Sequence, residues 1–183
     1  MTQEKVVLDE DDVRRTLVRI AHEIVEKNPD GQVALVGIHR RGAHLATRLH
    51  RLVSDLLETE LAAGEIDIAF YRDDLATREA PEVRSSHLPF RLEDHTIVLV
   101  DDVLYTGRTV RAGIEALFDY GRPARVQLAV LADRGHRELP IRPDYVGKNL
   151  PTAPGERVNV RLEETDGSDE VTIAPAKTRE TTA

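Results

Sequence analysis

Apolar side chains recur along this chain with two different periods, and the switches between them outline alternating strands and helices. Val6 to Leu8 fits a short strand. From about Glu10 to Asn28 the apolar positions Val13, Leu17, Ile20, Ala21, Ile24 and Val25 predict a helix, which Asn28-Pro29-Asp30-Gly31 ends. Val33 to Ile38 is a compact apolar run, the mark of a strand buried on both faces. A second helix is expected from about Ala43 to Leu57, with Leu45, Leu49, Leu52, Val53 and Leu56 inward, and Ile66 to Tyr71 alternates as a strand. Thr96 to Val100 predicts a further buried strand, followed by a loop and a helix through Tyr120. Gly121-Arg122-Pro123 closes that helix, and Val126 to Leu131 makes another strand. Beyond Asp133 the pattern shortens to extended pieces around Tyr145, Val158 to Leu162 and Val171 to Ile173, the last two flanking a turn at Asp166-Gly167-Ser168. Strands alternating with helices predict an α/β fold. Its core is a doubly wound, mostly parallel sheet flanked by helices, with a small C-terminal β region and the ligand at the carboxyl ends of the strands.

Arg72 to His95 breaks this rhythm, being polar, carrying Pro81 and Pro89, and lacking periodicity. A connection of that length inside a compact domain is a working lid or a disordered stretch. The expected organisation is one domain over residues 1–173 and a disordered tail over 174–183.

Composition narrows the chemistry. There is no cysteine, which removes disulfides, thiolate nucleophiles and thiolate zinc sites. A net charge of −8 argues against a general polyanion binder, so any contact with nucleic acid has to rest on a local basic face. The first residues, MTQEKVVLDEDD, lack the basic and apolar regions of a secretory signal, and no apolar run spans a bilayer. The expected location is the cytoplasm, away from membranes.

The informative stretch is VLVDDVLYTGRTV, Val98 to Val110. An apolar strand runs into two adjacent carboxylates, Asp101 and Asp102, and Thr106-Gly107-Arg108-Thr109 then opens a helix. Glycine lets the backbone approach a ligand, and the N–H groups of a helix start attract phosphate. The Thr106 and Thr109 hydroxyls can donate to the same anion, and the carboxylates can accept from vicinal ribose hydroxyls, directly or through hydrated Mg²⁺. Taken singly, the two acids read equally well as exposed loop residues and Thr109 as a helix cap. The ordered set carries the reading. Neither a Walker pattern nor a Gly-x-Gly-x-x-Gly fingerprint is present, which counts against nucleoside triphosphatases and dinucleotide enzymes.

This segment resembles the phosphoribosyl-pyrophosphate signature of type I phosphoribosyltransferases. LDEDDVRRTLVRIAHEI near the start, GIHRRG at Gly37 to Gly42, YRDDL at Tyr71 to Leu75 and LADRGHRELPIRPDYVGKNLPT at Leu131 to Thr152 narrow the resemblance. Together they look like the PyrR family, regulators of the pyrimidine operon that are also uracil phosphoribosyltransferases. The resemblance runs from about Val6 to Ile173. It implies that uracil and phosphoribosyl pyrophosphate are converted to UMP and pyrophosphate, with Asp101, Asp102 and Arg72 as the catalytic residues. Substrate would be bound by Arg40 and Arg41 of a pyrophosphate loop and by Asp101, Asp102, Val103, Leu104, Tyr105, Thr106, Gly107, Arg108 and Thr109. Arg134 and the backbone near Val158 would contact the base. Mg²⁺ would enter with the substrate near Asp101 and Asp102, with no direct side-chain ligation. Arg72 to Pro89 would be a flexible hood, with Arg72 and Asp73 as its working residues.

The same resemblance implies UMP-dependent binding of a leader messenger RNA hairpin, hence transcription attenuation, and a homo-oligomer built from dimers. Two basic groups are the candidates for RNA: Arg15, Arg19 and His22 on one face of the first helix, and His136, Arg137, Arg142 and Lys148 in the later loops. Val18 stands where relatives often carry a threonine, a loss of about 1 kcal/mol in one contact. Two other readings stay open: an RNA-binding nucleotide sensor with little turnover, and a purine phosphoribosyltransferase without RNA binding.

Overall fold

The structure, a computed structural model, describes residues 4–72 and 84–175. The chain order is β1 (Lys5–Leu8), α1 (Glu10–Lys27), β2 (Val33–Ile38), α2 (Arg41–Leu57), β3 (Ala62–Ile66), β4 (Thr96–Leu104), α3 (Arg108–Tyr120), β5 (Arg125–Asp133), β6 (Tyr145–Asn149), β7 (Arg157–Arg161), α4 (Glu163–Asp166) and β8 (Glu170–Ala174). Five strands form one sheet in the order β3-β2-β4-β5-β6, and all four pairings are parallel.

Alternation along the central strands explains why both faces are covered. Leu35, Val98, Val100, Ala129 and Leu131 point to one face, where α1 and α2 pack with Leu17, Ile20, Leu45 and Leu49. Val36, Ile38, Ile97, Leu99, Leu128 and Val130 point to the other, against Val110, Ala112, Ala116 and Leu117 of α3. A capping box fixes the start of α1: the Asp12 amide donates to Asp9 Oδ1 at 2.8 Å and the Asp9 amide to Asp12 Oδ2 at 3.3 Å. Its far end is locked by a buried polar group. Asn28 Nδ2 donates to the Ile24 carbonyl, to Gln127 Oε1 and to Tyr145 Oη, while Gln127 returns a bond to Asn28 Oδ1.

Several elements depart from expectation. The strand expected at Ile66 to Tyr71 lies earlier, at Ala62–Ile66, and Ala69–Tyr71 is a 3₁₀ turn. Pairing with β2 stops at Ile38–Ile66, and Asp67 Oδ1 then accepts from the Ala69 amide and turns the chain. β4 does not end at Val100. It pairs with β5 as far as Leu104–Asp133, so both acids lie within the strand. α2 begins at Arg41 instead of Ala43. The extended piece at Tyr145 joins the main sheet as its edge, while β7 and β8 form an antiparallel sheet with β1 in the order β1-β8-β7. The small β region therefore draws on both ends of the chain.

Candidate functional site

The site grows from the carboxyl ends of β2 and β4. A Cβ on Gly42 would overlap the Val100 carbonyl oxygen, so only glycine lets α2 start hard against β4 beside the acids. Asp101 is buried and accepts from the Asp102 amide at 2.9 Å; Asp102 is half-buried and accepts from the Val103 amide at 2.8 Å. Burial raises the Asp101 carboxyl well above its ordinary value, and the neighbouring Asp102 charge raises it further.

That shift has a testable sign. The folded protein favours protonated Asp101, so its contribution to stability is full below the unfolded value of 3.8 and is lost as pH rises through the raised folded value. Asp101→Asn removes the titration. Melting curves across the acid-to-neutral range should show the variant gaining on the wild type as pH rises; a constant difference would contradict the burial argument.

After β4 the loop at Tyr105 to Gly107 is bolted down by the segment following β5. Glu138 and Leu139 amides donate to the Thr106 carbonyl at 2.9 and 3.1 Å, and Arg137 Nη1 donates to the Tyr105 carbonyl at 3.0 Å. Gly107, at φ 93°, is the N-cap of α3 and has no side chain to cap the helix; Thr106 Oγ1 instead accepts from the Arg108 amide at 3.3 Å. The Thr109 and Val110 amides that follow have no intrahelical acceptor. Arg134 is buried, lies 4.1 Å from the Tyr105 ring centroid and donates through Nη2 to the Glu156 carbonyl at 2.6 Å; its buried Nε has no hydrogen-bond partner among the described residues.

Two clefts meet at Asp102. One, of about 350 Å³, is lined by Asp101, Asp102, Thr109, Arg40, Arg72 and Arg84, among others. The second, of about 390 Å³, is lined by Arg41, Asp102, Val158, Asn159, Arg161 and Asp166, with Val160. Arg40 and Arg41, adjacent in sequence, thus line different clefts that share Asp102; Arg41 already belongs to α2 and its guanidinium is forked onto Asp166. Asp67, Arg84 and Asp166 are site residues that sequence reasoning missed. Nothing in their local pattern marks them, and distant elements deliver them. Asp73 and the hood residues 73–83 lie outside the described residues.

No group of three or more His, Asp or Glu among the described residues could hold a metal ion alone. Paired carboxylates in a cleft wide enough for a ligand do fit a hydrated cation that enters with a phosphorylated substrate.

The basic residues proposed for RNA separate into two places. Arg15, Arg19 and His22 are exposed on α1, with exposed Lys148 nearby on β6. Arg19 Nη2 donates to the Val146 and Gly147 carbonyls at 3.1 and 2.6 Å, and Lys148 Nζ donates to the Val7 carbonyl at 3.1 Å. His136 and Arg137 instead sit beside the Tyr105–Gly107 loop: the His136 ring meets Tyr105 edge-on, and Arg137 bonds the Ile141 and Tyr105 carbonyls and Asp133. Arg137 is a brace for that loop in this fold. Arg142 is exposed in the connection back to β6. No described helix is long and apolar enough to cross a membrane.

Comparison with known proteins agrees with this geometry. The model of the phosphoribosyl transferase domain family matches residues 7–165. The chain is 58% identical over 175 residues to the bifunctional protein PyrR of Chloroflexus aurantiacus, covering 94% of this chain and 96% of that protein. It is 52% identical over 177 residues to the bifunctional protein PyrR of Bacillus subtilis, covering 94% and 98%. Among solved structures, hypoxanthine phosphoribosyltransferase of Trypanosoma cruzi superposes with a TM-score of 0.72 at 20% identity, covering 95% of this chain and 98% of that one.

Proposed function

We propose, from the premise that this chain belongs to the PyrR family of phosphoribosyl transferase domain proteins, that it transfers the ribose 5-phosphate of phosphoribosyl pyrophosphate to uracil and regulates pyrimidine genes by UMP-dependent RNA binding. The observation that carries the transferase reading is the Asp101–Asp102 pair near the end of β4, followed by the glycine-capped start of α3. The reaction is substitution at the anomeric carbon. The α3 amides and the Thr106 and Thr109 hydroxyls hold the 5-phosphate. Asp101 and Asp102 accept from the ribose hydroxyls, and the Asp102 charge offsets positive charge developing on the sugar. Arg40, Arg41 and Arg72 hold the departing pyrophosphate, whose geometry suits the guanidinium fork. Mg²⁺, bound with the substrate near the two acids, supplies charge neutralisation for the leaving group. The Val158 backbone, in the wall of the Asp102 cleft, and the Arg134 guanidinium, bonded to the Glu156 carbonyl two residues before it, would contact the base. Catalysis of this kind is positioning plus electrostatics, and it needs no protein nucleophile. The choice of uracil follows the relatives at 52–58% identity, since the hypoxanthine enzyme at 20% speaks only to the fold. Purified protein given Mg²⁺, phosphoribosyl pyrophosphate and competing bases should make UMP; preferential turnover of hypoxanthine or guanine would overturn that choice.

The RNA reading places the hairpin on the α1–β6 face and the protein in the cytoplasm as dimers or their multiples. With the chain at −8 overall, that local basic face has to supply the affinity. Arg19 is unsuited to testing it, because it also grips the edge of β6. Among the described residues Arg15 pairs with Asp12, by a side chain 62% exposed, so its loss leaves the fold intact. Arg15→Glu is expected to weaken retention of leader RNA at least about tenfold with UMP synthesis unchanged. A gel shift identical to wild type would remove this face from RNA recognition.

A further inference from the structure

The start of α2 is tied to the small antiparallel sheet through one carboxylate. Asp166 ends α4, and its Oδ2 accepts from the Leu162 amide at 2.9 Å and from Thr165 Oγ1 at 2.8 Å. Onto this fixed group Arg41 lays one edge of its guanidinium, Nη2 lying 2.9 and 3.1 Å from the two oxygens and Nε 3.3 Å from Oδ2. The Leu162 amide first, then Thr165 and Arg41, hold the carboxyl down at about 2. Two turns further along α2, Arg48 grips Glu164 and Asp169 at 2.5–2.9 Å. Both arginines dock the same turn onto α2, but only Arg41 lines the cleft it shares with Asp102 and Val158.

A long arginine side chain at an open cleft loses rotamer freedom when it grips an anion, and a partner that already fixes it removes that cost. The Asp166 pair uses Nε and Nη2 and leaves Nη1 uninvolved. We propose that Asp166 is a positioning residue for pyrophosphate: it holds the Arg41 guanidinium at the wall of the Asp102 cleft so that Nη1 binds the leaving group. Asp166, at the end of α4, is then part of the substrate site and not only of a hairpin connection. This rests on the transferase reading, which gives Arg41 a part in holding pyrophosphate.

The test compares wild type, Asp166→Asn, Asp166→Glu and Glu164→Gln in the full chain. Glu164→Gln opens an ion pair of the same interface away from the cleft. Steady-state transfer to uracil, product inhibition by pyrophosphate, calorimetric binding of Mg-pyrophosphate and Tm are measured for each. Asp166→Asn should raise the KM for phosphoribosyl pyrophosphate and weaken pyrophosphate binding roughly tenfold, with the KM for uracil within about twofold. Asp166→Glu should recover part of the loss, and Glu164→Gln should leave all three constants at wild-type values. Unchanged constants with a lowered Tm would make Asp166 a structural brace and overturn the proposal. Tighter pyrophosphate binding in Asp166→Asn would also overturn it, by showing that Asp166 masks Arg41. Failure of the wild type to transfer would sink the transferase reading separately, because pyrophosphate calorimetry still tests Asp166.

Discussion

Replacing Asp102 with asparagine is expected to lower transfer to uracil at least tenfold, about 1.4 kcal/mol of transition-state stabilisation. Among the described residues Asp102 is the one shared by both clefts, half-buried, with Oδ1 already taking the Val103 amide. Asparagine keeps the shape and that acceptor while removing the charge that opposes positive charge on the sugar. The loss should therefore fall on kcat more than on the KM for uracil, because the charge develops only in the transition state. Asp101 should respond differently, since its burial already favours the uncharged form. Kinetics of Asp102→Asn indistinguishable from wild type would remove this carboxylate from the reaction.

The largest stability effect is expected away from the site, at Asn28. Its side chain supplies both halves of the exchange with Gln127 and also reaches Tyr145 and the Ile24 carbonyl, all within the buried contact between α1 and the sheet. Asn28→Ala leaves Gln127 Nε2 without its acceptor, removes donors from Ile24, Gln127 and Tyr145, and opens a small void. Each orphaned buried group costs about 1–3 kcal/mol, so a total of about 3 kcal/mol and a drop in Tm on the order of 6–12 °C are expected. Tyr145 still donates to Gln127 Oε1 at 2.7 Å, which limits the damage. A shift below about 1 °C in thermal denaturation would show that water replaces the lost bonds.

The central strands were legible because β2, β4 and β5 are covered on both sides, so burial writes an unbroken apolar run into each. β3 reads Ala62-Ala63-Gly64-Glu65-Ile66 and has no such run; β2 and the bridge to His87 decide that it is a strand. The more regular alternation just after it belongs to a turn, because Asp67 captures the Ala69 amide. β4 was cut short for the opposite reason. Two acids end the apolar pattern at Val100, but backbone pairing with β5 does not depend on side-chain polarity and continues to Leu104.

In the site, the stretch from Asp101 to Thr109 could be read because its chemistry is local: strand end, loop and helix start follow one another. Asp67, Arg84 and Asp166 could not, since each is brought in by a different element and looks ordinary beside its neighbours. A shared place in the later loops also grouped His136 and Arg137 with Lys148. The connection between β5 and β6 leaves the first two at the nucleotide loop and carries the chain back to the start of β6 before Lys148 is reached. The fork between Arg41 and Asp166 was equally hidden, although each residue stood in a recognised motif or turn.

A crystal structure with UMP, or with phosphoribosyl pyrophosphate and Mg²⁺, tests the central claim most directly. The account predicts the 5-phosphate on the first amides of α3 and the Thr106 and Thr109 hydroxyls, with the ribose hydroxyls on Asp101 and Asp102. Nucleotide bound elsewhere, with the Asp101–Thr109 cradle empty at saturating ligand, would contradict it.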